Sequence, residues 1–243
     1  MDIGICVAPH INDIDYVVRA EELGYSHAWL ADSQMLWSDC YATLALAAYR
    51  TNSINLGTGV AITGTRPAPV NAASIASINA LAPGRTFFGV GSGNTARRVM
   101  GLPPQKIKEF EIYIKTLVPL LKGEEVEFEY EGQENLIKHI MPEKGFVNFE
   151  DQIPLYISGF GPKSLAIAGK YGDGAVIGAT RSTSMGSMWH MVQAGARDSG
   201  RKLDPGSNYY TTALTTMVVL DEGEAIDSPR VKSECGAMAM AAV

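Results

Sequence analysis

The chain has 243 residues, 46% of them hydrophobic and 19% charged, with a net charge of -6, which is enough apolar material to bury one sizeable core. The pI near 5.3 and a mean hydropathy of +0.02 exclude the basic footprint that duplex nucleic acid or an anionic membrane demands, so a small-molecule partner is expected. Cys6, Cys40 and Cys235 form no CxxC pair, against a disulfide framework or a zinc site; with no basic leader and no long apolar run, they predict a cytoplasmic protein without a membrane span.

Along the chain, short strand-like runs alternate with longer helix-period segments, the pattern of βα units around a parallel sheet. Residues 3–7 read as a first strand; Asn12 is placed to cap the next helix, where Ile14, Val17, Val18 and Leu23 share a face and Gly24 makes the exit. A second strand over 27–31 leads through Asp32 to an Ala- and Leu-rich helix over 40–49. A third strand over 54–61 precedes a helix opened by Pro69. A fourth, Phe-rich strand covers 86–90. A Gly-rich loop then leads to a helix carrying Ile107, Phe110, Ile114, Leu117, Val118 and Leu121.

The rhythm breaks over 123–151. Acidic residues alternate with Val, Phe and Tyr over 124–131, a solvated strand edge, and 136–149 reads as a β-like excursion, so the segment is an insertion in one barrel domain spanning 1–243. A fifth strand over 155–158, a helix opened by Pro162, a sixth strand over 175–177, a Met-rich helix over about 184–200 and a seventh strand over 210–220 follow. Core filling accounts for Met185, Met188 and Met191. Only an acidic loop and a small-residue helix over 236–243 remain. The fold class predicted is therefore α/β, a (β/α)8-type barrel with about seven strands visible, incomplete at its C-terminus.

In such a barrel, chemistry sits just beyond the C-terminal strand ends. The segment from Ser158, Gly159, Phe160 and Gly161 into Lys163 and Ser164 joins a strand to a helix N-terminus, where free amides and a positive dipole end suit an anion such as a phosphate; equally, Gly161 and Pro162 suit a plain tight turn. Gly89, Gly91 and Gly93 let backbone approach a flat ring, with Ser92 and Asn94 beside them, or serve a crowded barrel corner. Asp32 is placed to bond a ring, act as acid or base, or cap its loop. Polar and glycine residues also gather at 63–67 and 178–180. His10 follows the first strand and faces either a ligand or solvent. The four histidines show no metal spacing, and no metal is assigned.

Taken together, residues 20–32, 56–60 with 66–70, 81–93, and 161–164 with 168–174 resemble the luciferase-like monooxygenase family of flavin- and coenzyme F420-dependent oxidoreductases, which includes methylene-tetrahydromethanopterin reductase-like proteins. The resemblance implies FMN, or alternatively coenzyme F420, at the strand ends. Its ring would lie against a bulged third strand near Ala61, Ile62 and Thr63, often with a non-prolyl cis peptide. Asp32 and Asn94, with Ser92 and Gly93, would meet the ring's polar edges. Ser158, Gly159, Phe160, Gly161 and Lys163 would hold the ribityl and phosphate region, and Gly178, Ala179 and Thr180 the phosphate tail. A homodimer and a small organic substrate are the family expectation. The absent closing strand leaves two further readings: a shortened, non-catalytic flavin-binding protein, and a phosphate-binding barrel isomerase or lyase, for which no acid-base pair shows in the sequence.

Overall fold

The structure, a computed structural model, describes residues 1–178, 184–215 and 217–241. In chain order it places β1 (Gly4–Val7), α1 (Asp15–Glu22), β2 (His27–Leu30), α2 (Cys40–Arg50), β3 (Asn55–Thr58), β4 (Ala61–Ile62), α3 (Ala68–Leu81), β5 (Thr86–Gly91), α4 (Asn94–Val99) and α5 (Ile107–Leu120). The antiparallel hairpin β6 (Val126–Tyr130) and β7 (Gln133–Ile137) and a single helical turn at Pro142–Lys144 follow, off the main sheet. Then come β8 (Leu155–Gly159), α6 (Pro162–Tyr171), β9 (Gly174–Ile177), α7 (Met185–Asp198), β10 (Tyr210–Ala213) and α8 (Pro229–Ala241).

The main sheet runs β1-β2-β3-β5-β8-β9-β10, all parallel, with β4 also on β5. Helices α1, α2, α3, α5, α6 and α7 pack side by side around it. The sheet curls: the Tyr210 hydroxyl of β10 donates to Asp2 Oδ2 at 3.2 Å, and its ring lies 5.5 Å from that of His27. No strand bridges β10 to β1 among the described residues, so the barrel is open at that seam.

Apolar side chains divide between two cores. Leu30, Leu44, Leu56, Phe88, Phe110, Ile114, Leu117 and Ile157 fill the layer between sheet and helices. Inside the curl, Trp29, Phe87 and Tyr156 form a separate cluster, with rings 4.3 Å apart for Trp29–Phe87 and 5.5 Å for Phe87–Tyr156. These residues alternate with outward-facing neighbours because strand side chains have period two.

One expected strand is two. Gly57 pairs with Phe87 and Ala61 with Val90, so four steps on one strand face three on the other, which is a bulge of one extra residue. The bulge, with its Gly59–Val60 cis peptide, lies just before the expected position at 61–63.

Several expected boundaries shift. Asn12 caps nothing: α1 starts after Ile14, with no side-chain cap. Pro69 stands in the first turn of α3 as expected, with Pro67 at the N-cap before it. The seventh strand ends at Ala213 rather than at 220, since Leu214, Met217, Val219 and Leu220 are exposed and pair with nothing on the sheet. The β-like excursion stops at Ile137, and the last helix begins at Pro229. Of the three methionines, Met188 is fully buried, Met191 half-buried and Met185 exposed. The supposed loop after β5 contains α4, whose short sequence carries no apolar stripe.

Candidate functional site

Several of the predicted site residues that the structure describes lie on one arc of the sheet's C-terminal edge. Ile62 is paired with Gly91, and the Thr63 amide donates to the Gly91 carbonyl at 3.0 Å. The Thr63 hydroxyl, buried, reaches Gln105 Oε1 at 2.6 Å. A Cβ on Gly91 would stand 2.8 Å from Val60 Cγ2 and 3.4 Å from Ser158 Cβ, so only glycine fits and the backbone of β5 lies bare between the bulge and β8, a shallow cradle. Trp29 and Val60 flank Gly89 one layer below, and the aromatic cluster forms the floor.

Across the arc, Gly159 has no room for a side chain beside Ser164, whose hydroxyl donates to the Gly161 carbonyl at 3.0 Å. Pro162 has no N–H, and the amides of Lys163 and Ser164 have no protein partner among the described residues. Gly161 opens on free space and Lys163 is exposed, so the start of α6 presents two donors, a cation and the positive end of a helix. The Phe160 ring, itself exposed, lies over Gly178, leaving no space for a Cβ there. Ala179 and Thr180 lie outside the described residues.

Other expected residues are placed differently. The Ala61 side chain belongs to the helix-side core and offers only backbone to the mouth. Ser92 is half-buried; Gly93 takes φ 65° to start α4, with its Cα against Ile62, and Asn94 is exposed as the first residue of that helix. His10 is exposed, and its carbonyl accepts from the Asp13 amide at 3.0 Å.

Asp32 is the most committed. Its side chain is 2% exposed, and both oxygens are taken: Oδ1 accepts from Gln34 Nε2 at 2.6 Å, Oδ2 from the Ile62 amide at 3.2 Å and from Arg66 Nη1 at 2.6 Å. Arg66, 16% exposed, also reaches Asp39 Oδ2 at 3.1 Å and lies over the Tyr41 ring at 5.1 Å. Burial works against the guanidinium charge, but the bond and the charge of Asp32 outweigh it and raise the Arg66 pKa above its ordinary value. Such a buried pair strands a charge if either member is removed, at a cost of about 3–5 kcal/mol. From Tyr41 the network continues inward: its hydroxyl donates to Asn71 Oδ1 at 2.9 Å, and Asn71 Nδ2 donates to the Tyr113 hydroxyl at 2.7 Å.

Two hollows meet at Arg66. One, about 200 Å³, is walled by Asp32, Gln34, Trp37 and Asp39; the other, about 970 Å³, lies between the β4–α3 loop, α5 and the inserted hairpin. Sequence reasoning marked 63–67 as rim but passed over Arg66, Gln34, Gln105 and Arg97, which bonds the Gly64 carbonyl at 2.9 Å. The one available signal was a lone cation two residues after the rim glycine and directly before a proline.

The family model described as luciferase-like monooxygenase matches residues 9–230. A 5,10-methylenetetrahydromethanopterin reductase of Methanolobus tindarius is 32% identical over 195 residues, covering 79% of this chain and 58% of that protein. The same-named protein of Archaeoglobus fulgidus is 27% identical over 237 residues, covering 95% and 68%. The solved coenzyme F420 dependent tetrahydromethanopterin reductase from Methanopyrus kandleri superposes with a TM-score of 0.71 at 24% identity, over 88% of this chain and 65% of that one, and so shares the fold. This chain spans 58% to 68% of the length of these two sequence relatives. With the family model matching nearly its whole length, the chain belongs to the luciferase-like monooxygenase family.

Proposed function

We propose that this chain is an oxidoreductase that binds a deazaflavin, coenzyme F420, at the C-terminal edge of β4, β5, β8 and β9 and exchanges hydride with a small organic substrate. The bare backbone at Gly91, flanked by Val60 and Ser158 above an aromatic floor, carries the reading, because a glycine there leaves no side chain between the strand and a flat ring approaching it. F420 is preferred over the FMN first expected because several sequence relatives carry F420 dependence in their names, among them a hydroxymycolic acid dehydrogenase of Mycobacterium tuberculosis. The two donors and the cation at the start of α6 suit the phosphate that both cofactors carry.

When bound, the cofactor supplies hydride transfer at its central ring. The chain's own part is placement: the backbone of β4 and β5 and Ser158 bound the ring's seat, the first turn of α6 holds the anion, and the floor of Trp29, Phe87 and Tyr156 excludes water from below. A second reading, cofactor binding without turnover, draws on the open seam between β10 and β1.

Fluorescence titration of the purified full chain with F420 and with FMN decides first. Tighter binding of F420 is expected; binding of neither overturns the proposal. Single-turnover hydride exchange with a methylenetetrahydropterin and with a sugar phosphate, the substrate types in the relatives' names, separates enzyme from carrier. Lys163→Glu sets like charge against the phosphate and should weaken cofactor affinity about tenfold or more. Unchanged affinity would remove the start of α6 from the site.

A further inference from the structure

We propose that Arg66 is a positioning residue that sets the cofactor seat through Asp32: the guanidinium holds the carboxylate, and the carboxylate holds the backbone amide of Ile62. This rests on the cofactor reading above for the meaning of the seat, though the linkage itself stands on the hydrogen bonds alone. Both oxygens of Asp32 are engaged within the protein, so this residue at a strand end, although acidic and inside the mouth, has its bonding directed at the fold. What it grips is the short β4, only two residues long and tied on its other side to Gly91 of the cradle. A displacement of the Ile62 amide therefore moves the wall beside Gly91 and Gly93 directly, since Ile62 carbons fill the space next to Gly93.

Arg66 is suited to this in a way a lysine is not. Its planar fork serves Asp32 with one nitrogen and Asp39 with the other, while its face rests on Tyr41. Asp39 caps α2 through the Ala42 amide at 2.9 Å, so one guanidinium ties the loop after β2 to the loop after β4. With that cation gone, Asp32 becomes a buried carboxylate whose remaining donors are one amide N–H and one side-chain amide. The pull that orients it toward Arg66 is lost, and its hold on the Ile62 amide of β4 loosens.

The test compares Arg66→Ala, Arg66→Lys and Asp32→Asn with the unaltered full chain, using peptide-resolved hydrogen exchange, F420 titration by fluorescence, and thermal unfolding. In Arg66→Ala the peptides covering 33–39 and 60–65 should exchange about tenfold faster while those of β8 and α6 do not change. F420 affinity should fall by about tenfold or more, as expected when a binding surface moves without losing a direct contact. Millimolar guanidinium ion should restore both readouts and ammonium neither, and Arg66→Lys should resemble the alanine variant. If Arg66→Ala does not fold, the near-isosteric Asp32→Asn carries the same readouts and should shift them in the same direction. Unchanged exchange over 60–65 overturns the linkage. Faster exchange with unchanged F420 affinity reduces Arg66 to a structural brace and overturns its role at the seat. Failure of the unaltered chain to bind cofactor overturns the functional reading instead, with the exchange data still judging the linkage.

Discussion

At the residue scale, the interior of the curl contains a titratable group among aromatic rings. His27 lies 5.5 Å from both Phe87 and Tyr210, and burial pushes its imidazole below the ordinary 6.5, with Asp2 opposing the shift in part. Below that value the unfolded chain takes up a proton that the folded chain resists, so stability should fall as pH drops through 6.5 and continue falling to the lowered folded value. His27→Phe should remove this slope in denaturant titrations run on either side of it. The sequence placed His27 on a strand but gave no hint of its company, because rings from β2, β5 and β10 meet there only after the sheet curls. Arg66 was hidden for a similar reason. Its partners are 34 and 27 residues away, and no local spacing records such a contact.

At the element scale, α6 and α7 form the tightest helix pair among the described residues. A Cβ on Gly195 would run into the backbone carbonyl of Ala166, and one on Gly169 into that of Val192, so each helix needs the other's glycine to approach this closely. Gly195→Ala should cost about 1–3 kcal/mol through forced separation, read as a lower denaturant midpoint at unchanged slope. Were the midpoint unchanged, the two helices would have to be less closely packed than described. Helix and strand identities in this half were legible because short apolar runs alternated with longer segments of helical period. Boundaries were less so. The run after β10 is rich in Thr and Val and reads as strand to its end, but with no partner on its far edge it leaves the sheet after Ala213. The short α4 escaped notice because helix formation there depends on the left-handed turn at Gly93 and on Arg97 bonding to the Pro103 and Gly64 carbonyls, not on an apolar face.

At the scale of the whole molecule, the order of the sheet sets a gradient of local stability. β5 and β8 are paired on both sides and covered by helices, whereas β1 and β10 each have one free edge among the described residues. Native-state hydrogen exchange should therefore find β5 and β8 protected to the global unfolding free energy, and β1 and β10 opening locally well below it. Equal protection throughout would mean that the seam is closed in solution. The open seam was legible from the count of strand-like runs, since counting needs no knowledge of contacts; the Tyr210 to Asp2 tie across it was not. The bulge has the widest reach. Below it the odd-numbered Gly57 faces the barrel interior, and above it the even-numbered Ile62 does, while Leu56 and Ala61 both face the helices. The mouth thus runs in opposite phase to the wall beneath it. Deleting one residue between Gly57 and Ala61 would set three steps against three, so plain alternation would keep Gly57 and Ile62 inward and Leu56 and Ala61 on the helices: the facing would survive, and the mouth would lose only its bend.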